Sequence, residues 1–108
     1  MFSAIFRQSD PIFRTVFDRE ISDENPYQIF WAIFNDREMR DAANGERRIT
    51  VRHVASGETI TVTVDFDGLD EDEFSAPVIK NEARFDDFCR RHGFEPDPVT
   101  PTQPASVI

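Results

Sequence analysis

Residues 47–66, RRITVRHVASGETITVTVDF, decide the fold class of this chain. They read as two β-strands, about 47–54 and 59–66, folded back on one another as an antiparallel hairpin. With a two-residue turn at Ser56-Gly57, the numbers of facing residues sum to 113. Val51 then faces Val62, Ile49 faces Val64, Thr50 faces Thr63, Arg52 faces Thr61 and Arg48 faces Asp65. Strand side chains alternate between faces, so this register gathers Ile49, Val51, Ile60, Val62, Val64 and Phe66 on one apolar side. Gly57 supplies the positive φ that a tight turn needs. Ser56 is a weaker turn residue than Asn or Asp, and a three- to five-residue loop over 55–58 competes with the two-residue turn. An isolated hairpin is marginal in water, so the apolar face calls for helices or a third strand against it.

The N-terminal side of the hairpin reads as helical. Phe2, Ile5 and Phe6 form a short apolar patch, one or two turns long. Asp10-Pro11 is a helix-start signal, an N-cap followed by proline at the first helical position. Ile12, Phe13, Val16, Phe17 and Ile21 then follow the spacing of one helix face. Asn25-Pro26 repeats the start signal for a helix over 26–43, with Asn44-Gly45 as its C-terminal cap. Asp36–Arg40 and Arg37–Asp41 are charge pairs at the spacing that stabilises a solvated helix end. YQIFWAIF, residues 27–34, is also aromatic enough for a buried strand, with the helix beginning only at Asp36, and that alternative stays open at this point.

Beyond the hairpin comes DFDGLDEDEF, residues 65–74, with six carboxylates and no base. A helix is expected over about 81–92. Phe85, Phe88, Cys89 and His92 share one side of it, Asp86–Arg90 and Asp87–Arg91 pair elsewhere, and Gly93 caps its end. The last fourteen residues hold four prolines, the composition of an extended or disordered tail. The fold class expected is therefore α+β: a single domain over 1–94, with N-terminal helices, a central antiparallel β-hairpin, a C-terminal helix and a Pro-rich tail over 95–108.

Composition narrows the function classes. The chain of 108 residues carries a net charge of −9, distributed unevenly. Residues 1–54 hold 9 acidic and 8 basic side chains, whereas residues 55–108 hold 12 and 4. Nucleic-acid binding draws on a basic face to neutralise phosphates, so direct contact with nucleic acid is not expected. A protein partner with a basic surface fits the acidic half. Cys89 is the sole cysteine, which precludes an internal disulfide and suits a reducing, cytoplasmic setting. The first residues lack the pattern of a signal peptide, and the apolar run over 29–34 is too short to span a bilayer.

No catalytic, cofactor or metal motif emerges. Asp65-Phe66-Asp67-Gly68 fails as a calcium loop: with Gly68 at position 6, Thr63 and Phe74 fall at positions 1 and 12, and starting at Asp65 puts Leu69 and Asp70 at 5 and 6. Cys89 between Phe85 and Phe88 reads as a buried hydrophobe, and His53, facing Ile60 in the register above, as a structural histidine. The expected site is a strip of carboxylates: Asp65, Asp67, Asp70, Glu71, Asp72 and Glu73, then Glu82, Asp86 and Asp87. Such a strip can imitate a phosphate backbone and block a basic channel of a target, as small acidic anti-defence inhibitors of phages and mobile elements do. The alternative is a structural or assembly module, a virion joint or homo-oligomer subunit. It rests on the aromatic load of Phe2, Phe6, Phe13, Phe17, Phe30, Trp31 and Phe34, which can leave an apolar patch for a neighbour.

Overall fold

The computed structural model describes residues 1–10, 12 and 15–96. Five strands and three helices follow one another as β1 (Phe2–Asp10), β2 (Thr15–Asp23), α1 (Pro26–Asn35), α2 (Arg37–Ala43), β3 (Glu46–His53), β4 (Thr59–Asp65), β5 (Val78–Ile79) and α3 (Glu82–Arg91). The strands form one sheet in the order β2-β1-β3-β4-β5, with every pairing antiparallel. Helix side chains bury against the apolar face of this sheet. Ile29, Phe30 and Ile33 from α1 and Phe85, Phe88 and Cys89 from α3 join Phe2, Phe6, Ile49, Val51, Val62, Val64 and Phe66 in one core. The expected tail lies outside the described residues from position 97 onward.

The helices expected at the N-terminus are strands. Phe2, Ala4 and Phe6 are buried on the core side, while on the other side Ile5 is 61% exposed and Arg7 is exposed, Ser3 there being covered (4% exposed) and donating to Glu20 at 2.9 Å. That is the period of two of a half-buried strand, with Ala4 rather than Ile5 facing the core. Asp10 is the last residue of β1 rather than a helix cap, and Pro11 and Phe13 of the expected helix lie outside the described residues. Helical spacing in the second segment is overridden by pairing at long range: β1 is gripped by β2 over its whole length and by β3 over Phe2–Ala4. Strand preference depends on cross-strand neighbours of this kind, and a local reading does not contain them.

The hairpin 47–66 exists, but its register is two residues from the expected one. Val51 faces Ile60, Ile49 faces Val62, Arg48 faces Thr63, and Glu46 faces Asp65, so facing numbers sum to 111. A shift by two leaves every side chain on its own face, which is why the apolar pattern accommodates either register. The turn decides between them. His53 N–H donates to the Glu58 carbonyl at 2.8 Å and Gly57 N–H to the His53 carbonyl at 2.8 Å. This closes a four-residue loop over 54–57, with Gly57 at φ +78°. Lys80 lies 3.0 Å from Glu46 and offsets the like-charge pair that this register creates. His53 consequently faces Phe2 of β1 rather than Ile60.

Residues 27–34 are helical, closing the strand alternative. Asn25 caps α1 by accepting from the Tyr27 N–H at 3.0 Å, with Pro26 in the first turn. The long helix expected over 26–43 breaks at Asp36, which is extended at φ −91° and ψ 115°. Its backbone N–H ends α1 on Ala32 and Ile33, and its carboxylate caps α2 by accepting from the Met39 N–H at 3.0 Å. One residue thus closes one helix and opens the next. Asp36 pairs with Arg19 at 3.5 Å, and Arg40 reaches Asp67 at 3.8 Å in place of the expected Asp36–Arg40 pair. Asn44, left-handed at φ 52° and ψ 55°, is the C-cap of α2.

Candidate partner-binding site

The nine carboxylates expected to act together fall into two groups. The first is the loop between β4 and β5. Asp65 accepts from the Asp67 N–H at 2.9 Å. Asp70 turns its carboxylate back on the loop, accepting from the N–H groups of Asp72 and Phe74, each at 2.9 Å. The Asp70 N–H donates to the Phe74 carbonyl, the Glu73 N–H donates to the Asp70 carbonyl, and Leu69 bridges to Ser75. Asp70 is therefore the clasp of this loop, a role for which a short acceptor side chain is suited. Glu71, Asp72 and Glu73 are exposed. Among the described residues no salt bridge reaches Asp70, Glu71, Asp72 or Glu73. Beside them Leu69 is 57% and Phe74 69% exposed, so the acidic tip is flanked by two apolar side chains.

The second group lies on α3. Asp87 pairs with Arg91 at 3.6 Å. Asp86 does not pair with Arg90, which goes to Glu95 at 3.0 Å; Asp86 instead accepts the hydroxyl of Tyr27 from α1. Glu82, one turn earlier, opens with Asp86 onto a cleft of about 570 Å³ whose walls include Tyr27, Trp31, Phe94 and Glu95. Partial desolvation and then the Asp86 charge push the Glu82 carboxyl above its ordinary range. Desolvation, and after it the bond to Asp86, raises the Tyr27 hydroxyl. Phe94 is set in place by the end of α3. Its N–H donates to the Cys89 carbonyl at 2.9 Å and that of Gly93 to Arg90 at 3.1 Å. This pattern needs the left-handed φ of +84° that Gly93 supplies.

The residues weighed for other chemistry have structural surroundings. Cys89 is fully buried, and desolvation pushes its thiol up to about 11, the condition of an unreactive cysteine. Among the described residues no group of three or more His, Cys, Asp or Glu is placed to hold a metal ion, and no helix is long and apolar enough to cross a membrane.

His53 stacks on His92 with ring centroids 4.2 Å apart and bonds through Nδ1 to the Ser56 hydroxyl at 2.9 Å. Glu58 joins the hairpin loop to α3 through His92 Nε2 at 2.5 Å and Arg91 at 2.8 Å. Desolvation, then the proximity of His92 and the Met1 ammonium, lower the pKa of His53. The unfolded chain therefore binds this proton more readily than the folded one, so stability falls as pH drops below about 6.5 towards the folded pKa. Glu58, held below its ordinary range by Arg91 and then His92, acts in the same sense at lower pH, its contribution being lost as pH falls through its folded pKa. Calorimetry at pH 7 and pH 5.5 is expected to show a larger drop in melting temperature for the native chain than for His53→Phe. Equal drops would mean that His53 does not report on folding.

Sequence reasoning singled out the carboxylates but not Tyr27, Trp31 or Phe94 as walls of a site, nor Leu69 and Phe74 as its neighbours. Phe74 inside an acidic run was a usable signal. The pairing of Tyr27 with Asp86, 59 positions apart, left none. Comparison with known proteins yields no match to a family model, a curated protein or a solved structure.

Proposed function

We propose that the chain is a non-enzymatic acidic binding protein that docks on the basic surface of a protein partner, as an inhibitor that excludes nucleic acid from that surface. The observation carrying this reading is the β4–β5 loop: Glu71, Asp72 and Glu73 are exposed, with no salt bridge to them among the described residues, between exposed Leu69 and Phe74. Clustered charge of one sign accelerates encounter with a surface of the opposite sign. Apolar anchors beside it supply the contact that lasts once water is displaced. Phosphate mimicry is the form this reading takes, with the exposed carboxylates of Glu71, Asp72 and Glu73 clustered at the tip of the loop. Of the aromatics behind the assembly reading, Phe2, Phe6, Phe30 and Phe34 are core residues and Trp31 is 38% exposed, while Phe13 and the side chain of Phe17 lie outside what is described.

The test is affinity capture from native host lysate at low salt, with the native chain and with a variant carrying Glu71→Lys, Asp72→Lys and Glu73→Lys. Asp70 is left intact because it clasps the loop. One captured protein is expected to be lost in the variant, to weaken by about tenfold or more on raising salt to physiological strength, and to be displaced by added duplex DNA or RNA. Capture that is indifferent to the charge reversal would remove the basis of this reading.

A further inference from the structure

The cleft between α1 and α3 has a chemistry that the acidic loop lacks. Three aromatic side chains, Tyr27, Trp31 and Phe94, and three carboxylates, Glu82, Asp86 and Glu95, border the same space. Tyr27 and Phe94 lie with ring centroids 6.0 Å apart at 42°, and Trp31 is 38% exposed. Arginines of the chain stack on Phe34, Phe6 and Phe88, but among the described residues none stacks on Tyr27, Trp31 or Phe94. No salt bridge among those residues reaches Glu82 or Asp86, although Arg90, held by Glu95 at 3.0 Å, interacts with Asp86 and Tyr27 at longer range.

We propose that this cleft receives the guanidinium group of an arginine side chain carried by a protein partner. Glu82 and Asp86 are one helical turn apart on α3, so both can accept hydrogen bonds from one planar donor group. An aromatic wall stabilises a cation lying flat against it. Arginine combines a flat face with five N–H donors, whereas the lysine ammonium is a compact point charge that cannot stack and bridge two carboxylates at once. The state of Glu82 agrees with this assignment: its carboxyl is raised by desolvation and then by Asp86, and a cation between the two would offset the repulsion from Asp86. The proposal uses none of the β4–β5 loop residues and does not depend on the loop reading.

Trp31 is the sole tryptophan and stands at the cleft, so its fluorescence reports occupancy directly. The probe is acetyl-Gly-Arg-Gly-amide, titrated into the full chain. Saturable change at millimolar concentrations is expected, with the lysine tripeptide weaker and the citrulline tripeptide, a neutral isostere of arginine, without effect. Glu82→Gln is expected to weaken binding about tenfold, and Trp31→Leu, followed by the shift of the Tyr27 ring signals in NMR, to weaken it as well. The triple loop variant Glu71→Lys, Asp72→Lys, Glu73→Lys is expected to bind the tripeptide like the native chain. Circular dichroism establishes that each variant is folded. Equal binding of arginine and citrulline peptides, or no saturable response, would overturn the proposal. So would unchanged affinity in folded Glu82→Gln. Tighter binding of free arginine than of the tripeptide would overturn the assignment to a protein-borne side chain.

Discussion

Val51→Asp is expected to leave the chain largely unfolded at room temperature, while Thr50→Asp, one residue away, folds. Val51 is 0% exposed and sits in β3 between Ala4 of β1 and Ile60 of β4. A carboxylate there has no cation and no hydrogen-bond donor in the apolar core, and burying an unpaired charge costs several kcal/mol even after relaxation. Domains of this size have about 5–15 kcal/mol of stability in total, so the substitution consumes most of it. Thr50 points to the opposite, open face, where its hydroxyl meets that of Thr61 at 2.7 Å. Losing that contact at an exposed site costs about 1 kcal/mol or less. Far-UV circular dichroism and urea unfolding of the two variants check this directly. Comparable stability of both would mean that the sheet does not present these faces.

Phe85→Ala is expected to destabilise the chain by about 3–5 kcal/mol through the cavity left behind. Phe85 is fully buried in α3. Its ring meets Tyr27 at 5.2 Å edge-on, Phe30 at 5.3 Å and Phe88 at 6.4 Å. It is thus a joint through which α3 is bound to α1, beside the Tyr27–Asp86 bond. For a domain of roughly 100 residues, each kcal/mol shifts the melting temperature by about 4–8 °C, so a fall well beyond 10 °C is expected by calorimetry. A loss below about 1 kcal/mol would show that α3 is peripheral to the core.

Legibility in the sequence followed the range of the interactions involved. Turn-and-cap chemistry is local, and Asn25-Pro26, Asn44 and Gly93 each end up where that chemistry places them. The faces of β3 and β4 are local too, since alternation alone sends Ile49, Val51, Ile60, Val62 and Val64 inward. A helix start at Asp36 belonged to the strand alternative for 27–34 and is where α2 begins, but the charge spacing to Arg40 pointed to a continuous helix, and no local signal joined that start to a helix over 26–35. The carboxylates were visible as composition, and their division between a loop clasped by Asp70 and a cleft on α3 was not. That division depends on Tyr27 meeting Asp86 and Arg40 meeting Asp67.

By itself, then, the sequence determined an apolar-faced hairpin at 47–66, the helix start at Asn25-Pro26, the C-terminal helix with its glycine cap, and an acidic second half. Each of these depends on neighbours a few positions away. Only the tertiary structure decided that residues 2–10 and 15–23 are strands, that the hairpin pairs with numbers summing to 111, and that Glu82 and Asp86 share a cleft with Tyr27, Trp31 and Phe94. Each has its own physical reason. A two-residue slip preserves every face, a strand is stabilised by partners distant in the chain, and a cleft is made by elements that meet only when the core closes.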